Sequence, residues 1–192
     1  MRLPLLKPSN LDKEQKALYN SIREVTDAAF TNFKFMKEDG ELIGPFNAML
    51  HFPKFGAAAW AMNQTLYDHT KLPKSVLQIC VLVTGSRMKA RYQIFGHEQL
   101  AADAGVPLPK IATLAAGQRP IDLTVEESVA FDVACALNQS GPIAESTYRA
   151  GEAMFGREGM AEIIYLVGTF HLIAIILNGY DVSVPGREEG LG

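Results

Sequence analysis

A chain of 192 residues, 48% of them apolar, with a formal charge of −3 and a pI near 5.8, is long enough to bury one core and does not require a second domain. That charge leaves no basic face able to neutralise several phosphates, which argues against a nucleic-acid partner and leaves a small molecule or another protein chain. Cys80 and Cys135 lack CxxC or metal-type spacing and the N-terminal MRLPLLKPSN lacks an apolar region of secretory length, so the expectation is a cytoplasmic protein with buried thiols.

In chain order, Ser9 or Asn10 is read as the cap of a first helix with Asp12 in its first turn, followed by the apolar stripe Leu11, Leu18, Ile22, Val25 and Ala29. Residues 31–52 mix aromatic and turn residues, Phe33, Phe35, Gly40, Gly44, Pro45 and Phe46, and predict a loop with a short helix able to wall a pocket. Pro53, Pro73 and Pro109 stand where helices begin, because the missing N–H matters little in a first turn; they predict helices near 53–69, 73–88 and 108–116, with another near 89–104. Thr124 and Glu127 form a capping box opening a helix to about Asn138, a further helix over 144–155 ends at Gly156, and the last runs over 157–177. No period-2 strand interrupts this pattern, so the fold class is all-α with about seven to nine helices.

The last helix carries apolar side chains around nearly its whole circumference, more than one small core usually hides, and predicts a subunit interface. Its apolar run 163–177, broken by Gly168 and His171, is shorter than the roughly 20 residues a bilayer needs, so no membrane partner is expected.

On the helix over 89–104, Gln93 lies one turn before His97, and Leu100, Ala101 and Ala104 extend an apolar face. His97 is then either a core histidine bonded to a backbone carbonyl or a proton-transfer group, since imidazole populates both protonation states near neutral pH. His97-Glu98 has no second histidine four residues on and no Cys/His cluster occurs, so no metal is expected.

The segment 78–97, QICVLVTGSRMKARYQIFGH, resembles the carboxymuconolactone decarboxylase and alkylhydroperoxidase-D-like superfamily. The peroxidase branch of that superfamily spaces Glu, eleven residues, Cys, two residues, Cys, three residues, His; these positions fall on Gln78, Ala90, Gln93 and His97, and a relay His falls on Tyr92. Tyr92-Gln93-Ile94-Phe95-Gly96-His97 is similar to the Tyr-Glu-Trp-x-x-His of the cysteine-free, decarboxylase-like branch, with Gln93 and Ile94 as departures. GELIGPFNAMLHFP (40–53) and GTFHLIAIILNGYDVSVP (168–185) extend the resemblance over 40–185, leaving 1–39 as a helical extension and 186–192 as a tail of one unit.

The resemblance implies an AhpD-like helical domain that oligomerises, commonly as trimers or hexamers, and a cofactor-independent carbon–carbon lyase acting on a small unsaturated acid, or a related isomerase or lactone enzyme. His97 would deliver the proton, and Tyr92 and Gln93 would hydrogen-bond the lactone or enolate oxygen. Gln78, Phe46, His51 and Arg87 or Arg91 would contact substrate, the arginines by anchoring an acid. Gln78 can hydrogen-bond but cannot accept a proton as the family's Glu does. An alkylhydroperoxidase-like oxidoreductase is the first alternative, although its thiolates are missing at Ala90 and Gln93. A non-catalytic ligand-binding oligomer is the second. His171 is expected to be structural, at the pocket border or a subunit contact.

Overall fold

Residues 76–85 of a single helix are all buried, which is why that stretch shows almost no amphipathic pattern: a helix covered on every side can be apolar on every side. The computed structural model describes residues 1–29 and 35–186. Its helices are α1 (Lys13–Ala29), α2 (Pro45–His51), α3 (Pro53–His69), α4 (Lys74–Arg87), α5 (Arg91–Asp103), α6 (Leu108–Ala115), α7 (Val125–Leu137) and α8 (Glu145–Gly179), after a 3-10 turn at Pro8–Asn10. Among the described residues the only β pairing is an isolated antiparallel bridge between Met36 and Leu42. Helix α4 is central and packs on α5, α6, α7 and α8, while α1 lies on α2 and α3. Ile79, Leu82, Leu114, Met160, Ile163 and Leu166 are fully buried there, each contributing about 1.5–3 kcal/mol through lost apolar surface. Phe33, the side chain of Ala29 and residues 187–192 of the expected tail lie outside the described residues.

The predicted helices form, with informative differences at their ends. Asp12, rather than Ser9 or Asn10, caps α1: its Oδ1 accepts from the Gln15 N–H at 2.8 Å while the Gln15 side chain accepts from the Asp12 N–H at 3.0 Å. Lys89 adopts φ +53 and separates α4 from α5, so Ala90 is the residue before α5 rather than part of its face. The Thr124/Glu127 capping box is formed, and Glu127 also takes a 2.7 Å hydrogen bond from buried Lys110, joining α6 to α7.

Helix α8 breaks at Gly156, whose φ of +71 ends the first segment as expected. Its second segment is buried on one face only: Tyr165, Leu172 and Ile175 are 60%, 46% and 52% exposed. By length and composition, with mean hydropathy 2.1 over its most apolar stretch, α8 is apolar enough to cross a bilayer, contrary to the sequence reading, but half of that stretch is buried in the fold.

Candidate active site

Helices α3, α4, α5 and α8 converge on a cavity of about 620 Å³, closed on a further side by α2. Helix α3 sends one face into it, Trp60, Asn63, Gln64 and Tyr67, spaced three and four residues apart and therefore stacked along one side of the helix. Phe46 of α2 meets Trp60 edge-on at 5.8 Å, and Phe170 of α8 meets the His97 ring edge-on at 4.9 Å, so the walls are largely aromatic and aliphatic.

Gln78 and His97 are brought together where α4 and α5 pack, nineteen residues apart in sequence. His97 Nδ1 and Gln78 Oε1 are 2.8 Å apart; an amide oxygen can only accept, so the ring proton sits on Nδ1 and donates to Gln78. That tautomer leaves Nε2 as a lone pair with no partner among the described residues, on a side chain that lines the cavity and is only 9% exposed. Burial disfavours the imidazolium and pulls the His97 pKa down to about 3, so the ring is neutral at pH 7. Tyr67 is hydrogen-bonded to Gln78 from the α3 side, and burial, against the effect of that bond, pushes its hydroxyl upward and keeps it protonated. The result is a Tyr67–Gln78–His97 chain crossing three helices.

The other sequence-selected residues fall into two groups. Phe46, Gln78, Tyr92, Gln93 and His97 line the cavity. The polar ends of Tyr92 and Gln93 are covered, however: Gly44, at φ +67, lies so close to the Tyr92 ring that a β-carbon there would sit 2.4 Å from it, and the Gln93 Nε2 donates to Val81 O at 3.2 Å. His51, Arg87 and Arg91 lie outside the lining. The His51 Nε2 is 2.8 Å from Pro4 O, Arg87 reaches Cys135 Sγ at 3.8 Å, and Arg91 pairs with Asp181 at 3.3 Å. Both arginines are exposed and neither is among the residues lining the cavity. His171 is half-buried and does not line the cavity either.

Sequence reading missed Asn63 and Tyr67. The spacing of Trp60, Asn63 and Tyr67 puts an amide and a hydroxyl on the same face as an aromatic, but nothing local in the sequence ties α3 to the motif on α5.

Neither cysteine lines the cavity. Burial pushes the Cys80 thiol up to about 12, with the nearby Cys135 adding to the effect. Among the described residues no group of three His, Cys, Asp or Glu side chains comes together to hold a metal ion.

No protein-family model matches this sequence, and no curated protein matches it significantly. The structure is similar to an uncharacterised peroxidase-related protein from Ralstonia eutropha described as an alkylhydroperoxidase AhpD core, with a TM-score of 0.79 and 18% identity over 97% of this chain and 93% of that one. The chain has the AhpD-like fold. A peroxidase-related protein from Silicibacter shares the AhpD-like fold with a TM-score of 0.74 and 16% identity, covering 98% of this chain and 94% of its own. So does the debrominase Bmp8, solved with 2,3,4-tribromopyrrole, at a TM-score of 0.72 and 13% identity over 97% of this chain and 92% of that one. AhpD-like proteins thus include enzymes of different chemistry, and the fold leaves the reaction to be argued from the cavity.

Proposed function

We propose that this chain is a cofactor-independent enzyme in which His97 takes and returns a proton on a small unsaturated carbonyl compound held in the α3–α4–α5–α8 cavity. The observation that carries this reading is the neutral imidazole with its Nδ1–H fixed on Gln78 and its Nε2 lone pair left over. Nε2 removes a proton from the carbon beside the carbonyl, the C–H electron pair becomes the dienolate, and the imidazolium, whose Nε2 proton exchanges with solvent while the dienolate lasts, returns a proton to a distal carbon. The net change is a double-bond or lactone isomerisation with no atom gained or lost. Tyr67 and Asn63 supply hydroxyl and amide donors for the enolate oxygen on the same side of the cavity. A base with so low a proton affinity gains it back as the reaction proceeds: an enolate about 4 Å from the imidazolium is worth about 4 kcal/mol at an effective dielectric of about 20, equivalent to about three pK units.

Decarboxylation of a small unsaturated acid is the second reading, favoured by the apolar walls, which destabilise a carboxylate. There the C–C bond breaks, CO2 leaves, its electrons enter the conjugated system and a proton must be supplied. The Nδ1–H tautomer carries no proton on Nε2 to supply, so the lyase reading takes second place. A thiol peroxidase cycle is not supported, because Cys80 and Cys135 stand outside the cavity. The Bmp8 ligand, a substituted pyrrole, is a ring compound of a size this cavity also accommodates.

The test is a panel of enones, lactones and lactone acids followed for solvent deuterium uptake and CO2 release. Uptake without CO2 supports isomerisation; CO2 release moves the assignment to the lyase. His97→Gln is expected to lower turnover at least about 100-fold, and unchanged turnover in that variant overturns both.

The partner proposed for the apolar face of α3 and α8 is a second copy of this chain, giving a homo-oligomer. A groove of about 870 Å³ runs between Phe55 and Met62 of α3 and Tyr165 and Leu172 of α8. Phe55, Tyr165, Leu172 and Met62 are 81%, 60%, 46% and 42% exposed, a run of large apolar side chains that a second copy would cover. Leu172→Glu is expected to shift the protein to monomer in light scattering; an unchanged mass would refute this interface.

A further inference from the structure

We propose that the cavity selects an uncharged ring compound that presents a hydrogen-bond donor, an enolic or phenolic O–H or a ring N–H, to His97 Nε2, and that it discriminates against the free carboxylic acid. This rests on the proposed function in taking His97 Nε2 as the group facing the ligand, and it narrows the substrates of that reaction to carbonyl compounds that also carry such a donor, as an enol does.

Three independent features converge on it. The first is hydrogen-bond polarity. Because Gln78 Oε1 accepts the Nδ1 proton, Nε2 can only accept, so the complementary ligand atom must donate. An ester, ether or carboxylate oxygen placed there would set two lone pairs against each other. The second is charge. Among the described residues the charged side chains lining the cavity are Asp68, Lys74 and Asp103, all exposed, two acids against one base. Among the described residues no buried cation lines the cavity with His97, and Arg87 and Arg91 are outside it. A carboxylate brought to that depth would lose its water with no compensating ion. The third is shape. Trp60, Phe46 and Phe170 are among the side chains around a space of about 620 Å³, Phe46 edge-on to Trp60 and Phe170 edge-on to His97, an aromatic wall against which a ring compound can pack.

Trp60 makes the proposal measurable: it is the single tryptophan of the chain, it is buried, and it forms part of the cavity wall. Titrations of the full-length protein at pH 7 with 4-ethylphenol, 4-ethylanisole and 4-ethylbenzoate, followed by Trp60 fluorescence excited at long wavelength and by calorimetry, compare a neutral donor, the same shape without the donor, and an anion. The expected result is that the phenol binds about tenfold more tightly than either of the others, a ratio in the range one well-placed hydrogen bond supplies. In His97→Phe the phenol and anisole should bind within about twofold of each other, and Gln78→Leu, which releases the tautomer, should narrow the same ratio if His97→Phe does not fold. Tighter binding of the benzoate, a phenol preference that survives both variants, or no saturable binding of any probe at millimolar concentration overturns the proposal. Donor preference without deuterium exchange on any substrate would leave the ligand class standing and sink the proton-transfer function. Exchange on a carboxylic acid with no donor preference would do the reverse.

Discussion

Keeping His97 neutral has a consequence for acid stability that can be worked out from the site. Folded, the imidazole has its pKa pulled down to about 3 by burial, against about 6.5 in the unfolded chain. Between those values the unfolded chain takes up a proton that the folded chain refuses, so stability is fully present above pH 6.5 and falls as pH is lowered toward 3. At pH 4.5 the unfolded chain's proton uptake costs on the order of 2–3 kcal/mol relative to pH 7 from this residue alone. Other groups titrate in the same range. Glu127, whose burial is outweighed by its bonds from Lys110 and Thr124, is held below the usual carboxylate range and loses its contribution as pH falls through its folded pKa. Urea unfolding followed by circular dichroism should therefore be run on wild type and His97→Gln together, because glutamine does not titrate. The stability difference between them should move by roughly 2–3 kcal/mol in favour of the variant between pH 7 and pH 4.5. Gln78→Glu offers the reverse control: a carboxylate beside Nδ1 contributes about 4 kcal/mol at an effective dielectric of about 20, enough to return His97 to an ordinary pKa and flatten the slope. A wild-type-minus-variant difference that is flat with pH would mean that the imidazole is solvated, and the base assignment would fall with it.

Thiol-dependent peroxide reduction should be negligible, and Cys80→Ser should not change it; turnover abolished by that substitution would restore the peroxidase reading. Lys110→Met leaves Glu127 buried without its cation and should cost about 3 kcal/mol in chemical denaturation, whereas Lys110→Met with Glu127→Leu should recover part of it despite losing the capping box. An additive double variant would show that the two side chains do not act as a pair. Gly44→Ala places a β-carbon 2.4 Å from the Tyr92 ring at a left-handed backbone position, so a loss of at least about 1–3 kcal/mol and weakened Trp60 response to ligand are expected. Wild-type stability in that variant would mean that the Gly44 loop does not rest on Tyr92.

The helices were legible in the sequence because proline starts, glycine stops and the Thr124/Glu127 box act locally, through one or two backbone hydrogen bonds each. Even the break at Gly156 could be placed, since a left-handed φ is inexpensive only for glycine. Which residues share a cavity was less legible, because that depends on how helices cross. His97, Gln93 and Tyr92 could be placed from the motif on α5 and Gln78 from its spacing, but Asn63 and Tyr67 reach the same space through the packing of α3, which no local rule encodes. The arginines went the other way. Arg87 and Arg91 flank the motif, yet α4 and α5 meet at a left-handed Lys89 that turns both outward, toward Cys135 and Asp181.

The family pattern and the site geometry also constrain each other at Gln78. A glutamate there would pair with His97, favour the imidazolium and supply a carboxylate able to pass protons to a thiol. An amide at the same place still orients the ring through one 2.8 Å bond but withdraws the charge, so His97 is left neutral, with its lone pair as the reactive feature. With Ala90 and Gln93 where the resembled peroxidase branch has cysteines and Gln78 where it has glutamate, the site holds none of those elements of sulfur redox chemistry, and the proposed proton transfer from an uncharged guest rests on the imidazole alone.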